Sequence, residues 1–240
     1  MGNDVAVQRR HPEEGGYARG EETRGRIIAA ALMIFGSHGY DQASTRQIAA
    51  SAGVNPPALQ YYFGGKAGLH RACAQHIVER VSEVLDPAFA RAARAARGGV
   101  HAEVAAALSG LLESMIDGLM AAGAESWCRF IARGKADGAG PAIALINEHI
   151  GMRVREAAVR LVAAATGQPA RAEITRLRAM AALGQITNFY ANREHSLTVM
   201  GWKEFDPRAL ALIKSVVVEN TRLMLEGWSK APPGGVRAGR

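Results

Sequence analysis

The sequence predicts an all-α protein. Between residues 22 and 230, apolar side chains recur at three- and four-residue spacing in nearly every segment, as one face of a helix requires. No segment shows the sustained alternation of apolar and polar side chains, with β-branched residues, that is typical of strands. Glycine and proline interrupt the periodic segments repeatedly, and these breaks divide the chain into about nine helices.

The two ends of the chain differ from the rest. Residues 1–21 and 231–240 are rich in glycine, proline and arginine and offer little to bury, so we expect both to be disordered. The helices between them divide by length, with short helices over residues 22–66 and longer ones over residues 67–230. We therefore expect a small N-terminal module that packs on a larger helical domain.

Composition and charge exclude several classes of protein. The 240 residues are 48% hydrophobic and 21% charged, which is typical of a folded domain. Cys73 and Cys128 are too few for a disulfide framework, and we expect both to be small apolar fillers in a reducing compartment. No apolar run is long enough to cross a bilayer, and residues 1–20 lack the apolar stretch of a signal peptide. We expect a cytoplasmic protein that needs neither a metal ion nor a cofactor.

The first two helices are set by local signals. The first, predicted over residues 22–38, carries one broad apolar stripe and ends before Gly39. The second begins after Ser44, because Gln47 three residues later completes a capping box. It closes at Gly53, which can adopt the left-handed conformation that ends a helix.

The third helix completes a DNA-binding motif. Asn55 is its predicted cap, Pro56 occupies its first position, and the helix extends to residue 63. Two short helices joined around a glycine form a helix-turn-helix, whose second helix can enter the major groove of DNA. Leu59 and Phe63 are spaced to pack inward. We expect the side chains left on the outer face to be Gln60, Tyr61 and Tyr62.

Several spaced motifs agree with one known family. The motifs are GY at 39–40, STRQIA at 44–49, AGV at 52–54 and YYFGGK at 61–66 followed by Leu69. Over residues 22–72 the chain resembles the TetR family of bacterial transcriptional regulators. The resemblance implies a three-helix DNA-binding module followed by a helical domain for ligand binding and dimerisation.

The resemblance also implies which residues contact DNA. Hydroxyl and ammonium groups can fix the register on phosphates, and an amide can read adenine. Phosphate contacts are implied for Ser44, Thr45 and Lys66, phosphate or base contacts for Arg46, Tyr61 and Tyr62, and base contacts for Pro57 and Gln60. The net charge of +7 permits such a partner but does not establish one, because no basic block stands out.

The longer helices carry the predicted dimer interface. A fourth helix is expected over residues 66–85, followed by segments 101–122, 124–137, 141–166, 169–198 and 207–229. The last two segments carry apolar stripes that can form a four-helix bundle across a two-fold axis, or an internal core. The predicted interface residues are Ile174, Leu177, Ala181, Leu210, Ile213, Val217, Met224 and Trp228.

A second resemblance concerns the C-terminal half. Residues 127–133 and 182–193 are similar to the C-terminal domain of one TetR subgroup, the CerR-like subgroup. A ligand site there needs an apolar cavity with a few polar groups, although each candidate can equally be ordinary core or surface. The candidates are Met115, Met120, Trp127, Arg129, Phe130, His149, Gln185, Asn188, Phe189 and Tyr190.

Two other classes compete with a regulator. For an enzyme, the sequence offers no nucleophile elbow, His70 and His76 fall on different helix faces, and Ala67 after Lys66 does not fit a phosphate loop. We therefore expect no enzymatic activity. A helical small-molecule-binding protein without sequence-specific DNA binding stays open. The sequence favours a ligand-responsive, homodimeric repressor that binds a palindromic operator and is released by a small molecule of unknown identity.

Overall fold

The computed structural model describes residues 14–120 and 123–230, which form eleven α-helices, one π-helical turn and no strand. The all-α prediction is confirmed. The helices are α1 Glu14–Gln42, α2 Thr45–Ala52, α3 Pro56–Phe63, α4 Lys66–Gly98, α5 His101–Met120, α6 Ala124–Ala136, α7 Pro141–Ile146, α8 Met152–Thr166, α9 Glu173–Ala191, α10 Arg193–Met200 and α11 Pro207–Lys230.

The first helix is longer than predicted. It begins at Glu14, so residues 14–21, which we expected to be disordered, continue the helix on its N-terminal side. It breaks at Gly39, where the backbone turns to a φ of 78° and a ψ of 171°, close to the end that the sequence predicted. The remaining residues expected to be disordered, 1–13 and 231–240, lie outside the described part of the chain.

The fourth helix is also longer, because Pro87 does not end it. α4 runs through Pro87 to Gly98, thirteen residues past the predicted end at residue 85. Its buried stripe continues without a break through Leu85, Ala88 and Ala92. Packing of this stripe against α5 and α8 offsets the backbone hydrogen bond that proline cannot donate.

Two predicted helices are each divided in the structure. The segment predicted over 141–166 contains a π-helical turn, Asn147–Gly151, between α7 and α8. The segment predicted over 169–198 breaks at Asn192, whose φ of −119° and ψ of 45° are not helical. These divisions account for the larger number of helices, since side-chain periodicity does not register a one-residue backbone change.

The N-terminal module shares a core with the longer helices. α1 packs against α2, α4 and most extensively against α6. One continuous apolar cluster includes Ile27 of α1, Ile48 of α2, Leu59 of α3 and Ile77 of α4, and it extends to α6, α7 and α8. Two further clusters join α4, α5, α8, α9 and α11. Buried apolar side chains therefore hold the N-terminal helices against the rest of the described chain.

Within the described residues, no single helix is long and apolar enough to span a membrane. The bent pair α5 and α6, which meet at 95°, meets the length and composition requirement only when the two helices are taken together.

Candidate nucleic-acid interface

The start of α2 carries the predicted capping box. The Ser44 backbone N–H donates to Gln47 Oε1 at 3.1 Å, and Ser44 Oγ accepts from the Arg46 N–H at 3.2 Å. These bonds satisfy backbone groups that would otherwise lack partners at the helix end. At the other end, Gly53 closes α2 with a φ of 66° and a ψ of 37°, a conformation that glycine adopts without strain. The turn between α2 and α3 is thus the one that the sequence predicted.

α3 is anchored on one side and free on the other. Asn55 Oδ1 accepts from the Ala58 N–H at 3.2 Å, which caps the helix as predicted. Leu59 is buried, and Phe63 is half-buried with the Arg24 guanidinium 5.7 Å from its ring centroid. The inward stripe therefore holds α3 against the module and leaves its opposite face to solvent.

A close approach of backbones fixes the angle between α3 and α4. A Cβ added at Gly68 would lie 1.8 Å from the main-chain oxygen of Phe63. No larger residue fits there without moving one helix away from the other. Gly68 therefore sets where α3 stands relative to the long helix behind it.

The exposed side of the motif forms what we call the recognition surface, made of Arg46, Pro57, Gln60 and Tyr61. All four are exposed, and Tyr61 retains 84% of its accessible surface. α3 itself has no charged side chain, so its recognition chemistry rests on one amide, one phenol and the proline ring. An amide can bond base edges in the major groove, and an aromatic ring can contact a thymine methyl group.

Two side chains predicted to contact DNA, Tyr62 and Lys66, pack against or bond to other residues of the protein. Tyr62 is half-buried rather than exposed, and its ring packs 5.1 Å from that of Tyr61. Lys66 Nζ donates to the main-chain oxygen of Asp41 at 3.1 Å and lies 4.7 Å from the Tyr40 ring centroid. Since an ammonium group carries three N–H donors, Lys66 retains donors for a phosphate while it ties α4 to the end of α1.

Ser44 and Thr45 lie at the N-terminus of α2, next to Arg46. Both are half-buried, and Arg46 is exposed. The first N–H groups of a helix and its dipole favour an anion at this end. The position fits a DNA phosphate.

The residues predicted to line a ligand cavity do not all meet at one. Arg129 and Tyr190 both line a cavity of about 340 Å³ between α6 and the junction of α9 and α10. Phe130 is buried and lines a cavity of about 510 Å³ between α1, α4, α6 and α7. Arg129 is exposed and paired with Glu125 at 2.8 Å. His149 is exposed in the π-helical turn, with Nδ1 3.0 Å from the main-chain oxygen of Leu145. The structure therefore places Phe130 at one cavity and Arg129 and Tyr190 at another, and a ligand site made of the predicted residues stays a prediction.

Most of the other candidates are core residues, which was the alternative interpretation. Met120 is buried, and Met115, Phe189 and Tyr190 pack around it between α5, α9 and α11. Trp127 is half-buried, with its ring 5.9 Å from that of His76 in an edge-to-face contact. Their apolar character is accounted for by packing alone.

Gln185 makes a specific contact between helices. Its Nε2 donates to the main-chain oxygen of Ala182 and to Thr221 Oγ1, both at 3.2 Å. The Nε2 group therefore links α9 to α11, while Gln185 Oε1 is buried without a hydrogen-bond partner. The side chain of Asn188, the last candidate, lies outside what the structure describes.

The predicted dimer stripe of α11 faces inward. Ile213 and Val217 are buried against α5 in the same protomer, and Leu210, Met224 and Trp228 are half-buried. Ile213 and Val217 therefore serve the core of one protomer, and the dimer interface stays a prediction. Both this stripe and its neighbour have helical spacing, so the sequence could not tell which one faces the core.

A neighbouring stripe is exposed instead. On α9, the predicted Leu177 and Ala181 are exposed together with Met180, which sequence reasoning missed, while Ile174 is half-buried. On α11 the exposed apolar residues were all missed. We call the following set the apolar face: Leu177, Met180, Leu212, Val216 and Leu223.

The side chains in the described part of the chain offer no evident catalytic group. No cluster of three or more His, Cys, Asp or Glu side chains there could hold a metal ion. Burial raises the pKa of the Cys128 thiol to about 11, and burial also raises the pKa of Cys73. Both cysteines are therefore thiols at neutral pH, which is the poorly nucleophilic form.

Family comparisons agree with both halves of this architecture. Residues 27–73 match the family described as bacterial regulatory proteins, tetR family. Residues 104–228 match the C-terminal domain of the HTH-type transcriptional dual regulator CecR. The C-terminal subgroup is thus CecR rather than the CerR-like subgroup expected from the sequence.

Two curated relatives illustrate how far the similarity extends. The chain is 33% identical over 214 residues to the HTH-type transcriptional dual regulator CecR of Shigella flexneri, which covers 88% of this chain and 95% of that protein. It is 49% identical over 49 residues to the HTH-type transcriptional regulator SrpR of Pseudomonas putida, 20% of this chain and 23% of that one. The first similarity extends over most of both chains, whereas the second covers about a fifth of each.

Solved structures share the fold at low sequence identity. The TetR-family regulator PfmR from Thermus thermophilus superposes with a TM-score of 0.58 at 17% identity, covering 84% of this chain and 95% of that one. AibR, in complex with isovaleryl coenzyme A and operator DNA, also gives a TM-score of 0.58 at 17% identity, covering 82% and 97%. At this identity the likeness concerns the fold alone.

Proposed function

Because the chain belongs to the TetR family of transcriptional regulators, with a DNA-binding N-terminus and a C-terminal domain of the CecR type, we propose that it is a homodimeric, ligand-released repressor. Two copies would place two recognition helices on the two halves of a palindromic operator. Half-site centres about one helical turn apart, or a multiple of it, would satisfy this geometry.

The observation that carries this function is the exposed outer face of α3. Gln60 and Tyr61 stand on a helix that is buried along its opposite side through Leu59. In the proposed complex Gln60 and Pro57 face bases, and Tyr61 contacts a phosphate or a thymine methyl group. Phosphates would be held at Ser44 and Thr45 by the α2 N-terminus, with Arg46 beside them. Tyr62 and Lys66 act mainly by supporting α3 and α4, with any DNA contact secondary.

The apolar face supports the proposed dimer. Leu177 and Met180 of α9 lie at i, i+3 spacing, and Leu212, Val216 and Leu223 of α11 continue one stripe along their own helix. Exposed large apolar side chains on two helices that contact each other are typical of a protein–protein contact. A second copy related by a two-fold axis would cover it and form a four-helix bundle.

Release by a ligand requires two states with different affinities for DNA. In one of these states the spacing of the two α3 helices does not match the operator half-sites. A small molecule that binds this state more tightly than the other lowers the affinity for the operator, and the loss is set by the difference between its two binding free energies. AibR, which shares the fold, was crystallised with both an acyl coenzyme A and operator DNA. For the present chain we propose the same two classes of partner, operator DNA and a small-molecule effector of unknown identity.

The direct test is selection of a random duplex library by the purified protein at near-physiological salt. We expect an inverted repeat to be enriched. The Tyr61→Ala variant is the matched control, because a side chain this exposed contributes little to the fold. It should fold and dimerise like the wild type but enrich no sequence at the same concentration. Failure of the folded, dimeric wild type to enrich any sequence would contradict the proposed function.

A further inference from the structure

The cavity of about 510 Å³ lies where the DNA-binding module meets the longer helices. Its floor is apolar and includes the buried side chains of Phe35, Phe130 and Ile143. The ring of His70 is packed among those of Phe35, Tyr40 and Phe130, with centroids 4.7 to 4.8 Å apart. A volume of this size and an aromatic wall suit the apolar body of a small organic molecule.

Four charged side chains line the cavity, and two of them form an ion pair: Arg133 Nε lies 3.1 and 3.2 Å from the two carboxylate oxygens of Asp137. Asp41 is exposed, and its main-chain oxygen accepts from Lys66 Nζ. Arg71 is exposed at the rim, and no carboxylate of the described residues forms an ion pair with it. The Arg71 guanidinium therefore keeps its N–H donors for an incoming anion.

His70, on the cavity wall, is neutral and does not attract an anion by charge. Burial, and secondarily the nearby Lys66 charge, lower the pKa of His70, which favours the neutral imidazole at pH 7. A neutral imidazole carries one N–H donor and no charge, so it offers an anion no ion pair in place of Arg71. The cavity thus combines an apolar floor with a rim that carries the unpaired Arg71 guanidinium.

We infer, building on the proposed function, that this junction cavity binds a small organic carboxylate, with its carboxylate on Arg71 and its apolar body against Phe35 and Phe130. A guanidinium pairs with a carboxylate through two parallel N–H donors, which gives both affinity and orientation. An organic cation of the same shape forms no such pair with Arg71.

The position of the cavity couples it to DNA binding. Phe35 and Arg71 belong to α1 and α4, which hold the helix-turn-helix, whereas Phe130 belongs to α6. α1 and α6 cross closely, since a Cβ at Gly36 would lie 3.1 Å from the backbone nitrogen of Phe130. A ligand that contacts α1, α4 and α6 binds with different affinity when these helices change their relative positions. This difference in affinity shifts the equilibrium between the conformation that binds DNA and the one that does not.

The test uses two probes with the same ring and opposite charge, naphthoate and naphthylmethylammonium, titrated calorimetrically into the full-length protein without DNA. We expect naphthoate to bind about tenfold or more tightly than the amine, as loss of a charge-assisted bond implies. Arg71→Gln should weaken naphthoate binding by a similar factor, and Arg71→Lys should retain part of the affinity.

The control variant is Arg94→Gln, which replaces an exposed arginine of the same helix that does not line the cavity. It should leave the affinity for naphthoate unchanged. Equal binding of the two probes, no binding, or insensitivity to Arg71→Gln would overturn the inference.

A second variant tests the location without touching the charge. Gly140 lines the cavity, has a φ of −60°, and has no atom within 4 Å of an added Cβ, so Gly140→Trp should fold and fill the space. It should abolish naphthoate binding at an unchanged thermal midpoint. Naphthoate binding that survives in Gly140→Trp would overturn the assignment to this cavity.

The coupling is tested separately with the duplex enriched by the selection. Naphthoate should weaken DNA binding, and DNA should weaken naphthoate binding by the same factor. Absent naphthoate binding in a protein that enriches an operator overturns this inference alone. Naphthoate binding in a protein that enriches no DNA contradicts the proposed function alone. Binding of both with no mutual effect overturns the coupling.

Discussion

Two of the surfaces that the described residues expose have opposite chemistry. The outer face of α3 presents an amide and a phenol, through Gln60 and Tyr61. The apolar face of α9 and α11 presents only Leu, Met and Val side chains. Water solvates the polar groups of the first surface at little cost in free energy. Contact of the second surface with water is unfavourable, and the free energy falls when another apolar surface covers it. One surface is therefore suited to a polar groove and the other to a second copy of the chain.

The two surfaces also rest on different cores. α3 is held by the cluster that joins the N-terminal module to α4 and α6, through Leu59 and Leu69. α9 and α11 are held by clusters that include Leu108 and Ile213. Damage to one support should therefore leave the other surface in place. This separation makes the two functions independently testable.

The largest expected effect is on dimerisation. Leu177→Glu combined with Val216→Glu would place carboxylates in the proposed interface, where unpaired charges cost several kcal/mol. We expect the dimer dissociation constant to rise by about a thousandfold or more. Sedimentation equilibrium should then give the mass of one chain, against two for the wild type.

The control for this change is Val100→Glu, which replaces an exposed apolar residue between α4 and α5. It should remain dimeric. An unchanged mass for the double variant would show that copies of the chain do not meet through the apolar face.

The next effect is on the support of α3. Gly68→Ala introduces a Cβ into the backbone of Phe63, and the required separation of α3 and α4 should cost about 1–3 kcal/mol of unfolding free energy. DNA binding should fall with it, while the dimer persists. Denaturant unfolding and sedimentation together measure both results.

Gly110→Ala is the matched control, since a Cβ there meets only the end of the Arg91 side chain at 3.8 Å. This variant should be neutral or slightly stabilised, because alanine is the better helix former. If Gly68→Ala behaved in the same way, the close packing of α3 on α4 would not be what positions the recognition surface.

The helix-turn-helix could be predicted residue by residue, and the reason is local. Ser44 with Gln47, Gly53 and Asn55 each determine a helix end through bonds or dihedral angles within a few residues. Such signals lie entirely in the neighbouring sequence. They do not depend on how the rest of the chain packs.

The errors fall where long-range packing decides. Pro87 was expected to end α4, but the buried stripe on either side of it holds the helix together. On α11 the stripes containing Ile213 and Leu212 have the same spacing, and only the position of α5 determines which is buried. The junction cavity was missed because Phe35, Arg71 and Phe130 come from three helices far apart in sequence.

The most direct test of the recognition surface separates specific from non-specific DNA binding. Wild type and Gln60→Ala would be titrated at several salt concentrations against the enriched duplex and a shuffled duplex of equal length. Gln60 is exposed and uncharged, so its loss should cost about 1–3 kcal/mol on the enriched duplex through lost base contacts. Affinity for the shuffled duplex and the salt slope should stay the same, because phosphate contacts and the net charge of +7 are retained. An equal loss on both duplexes, or no loss on either, would contradict base reading by α3.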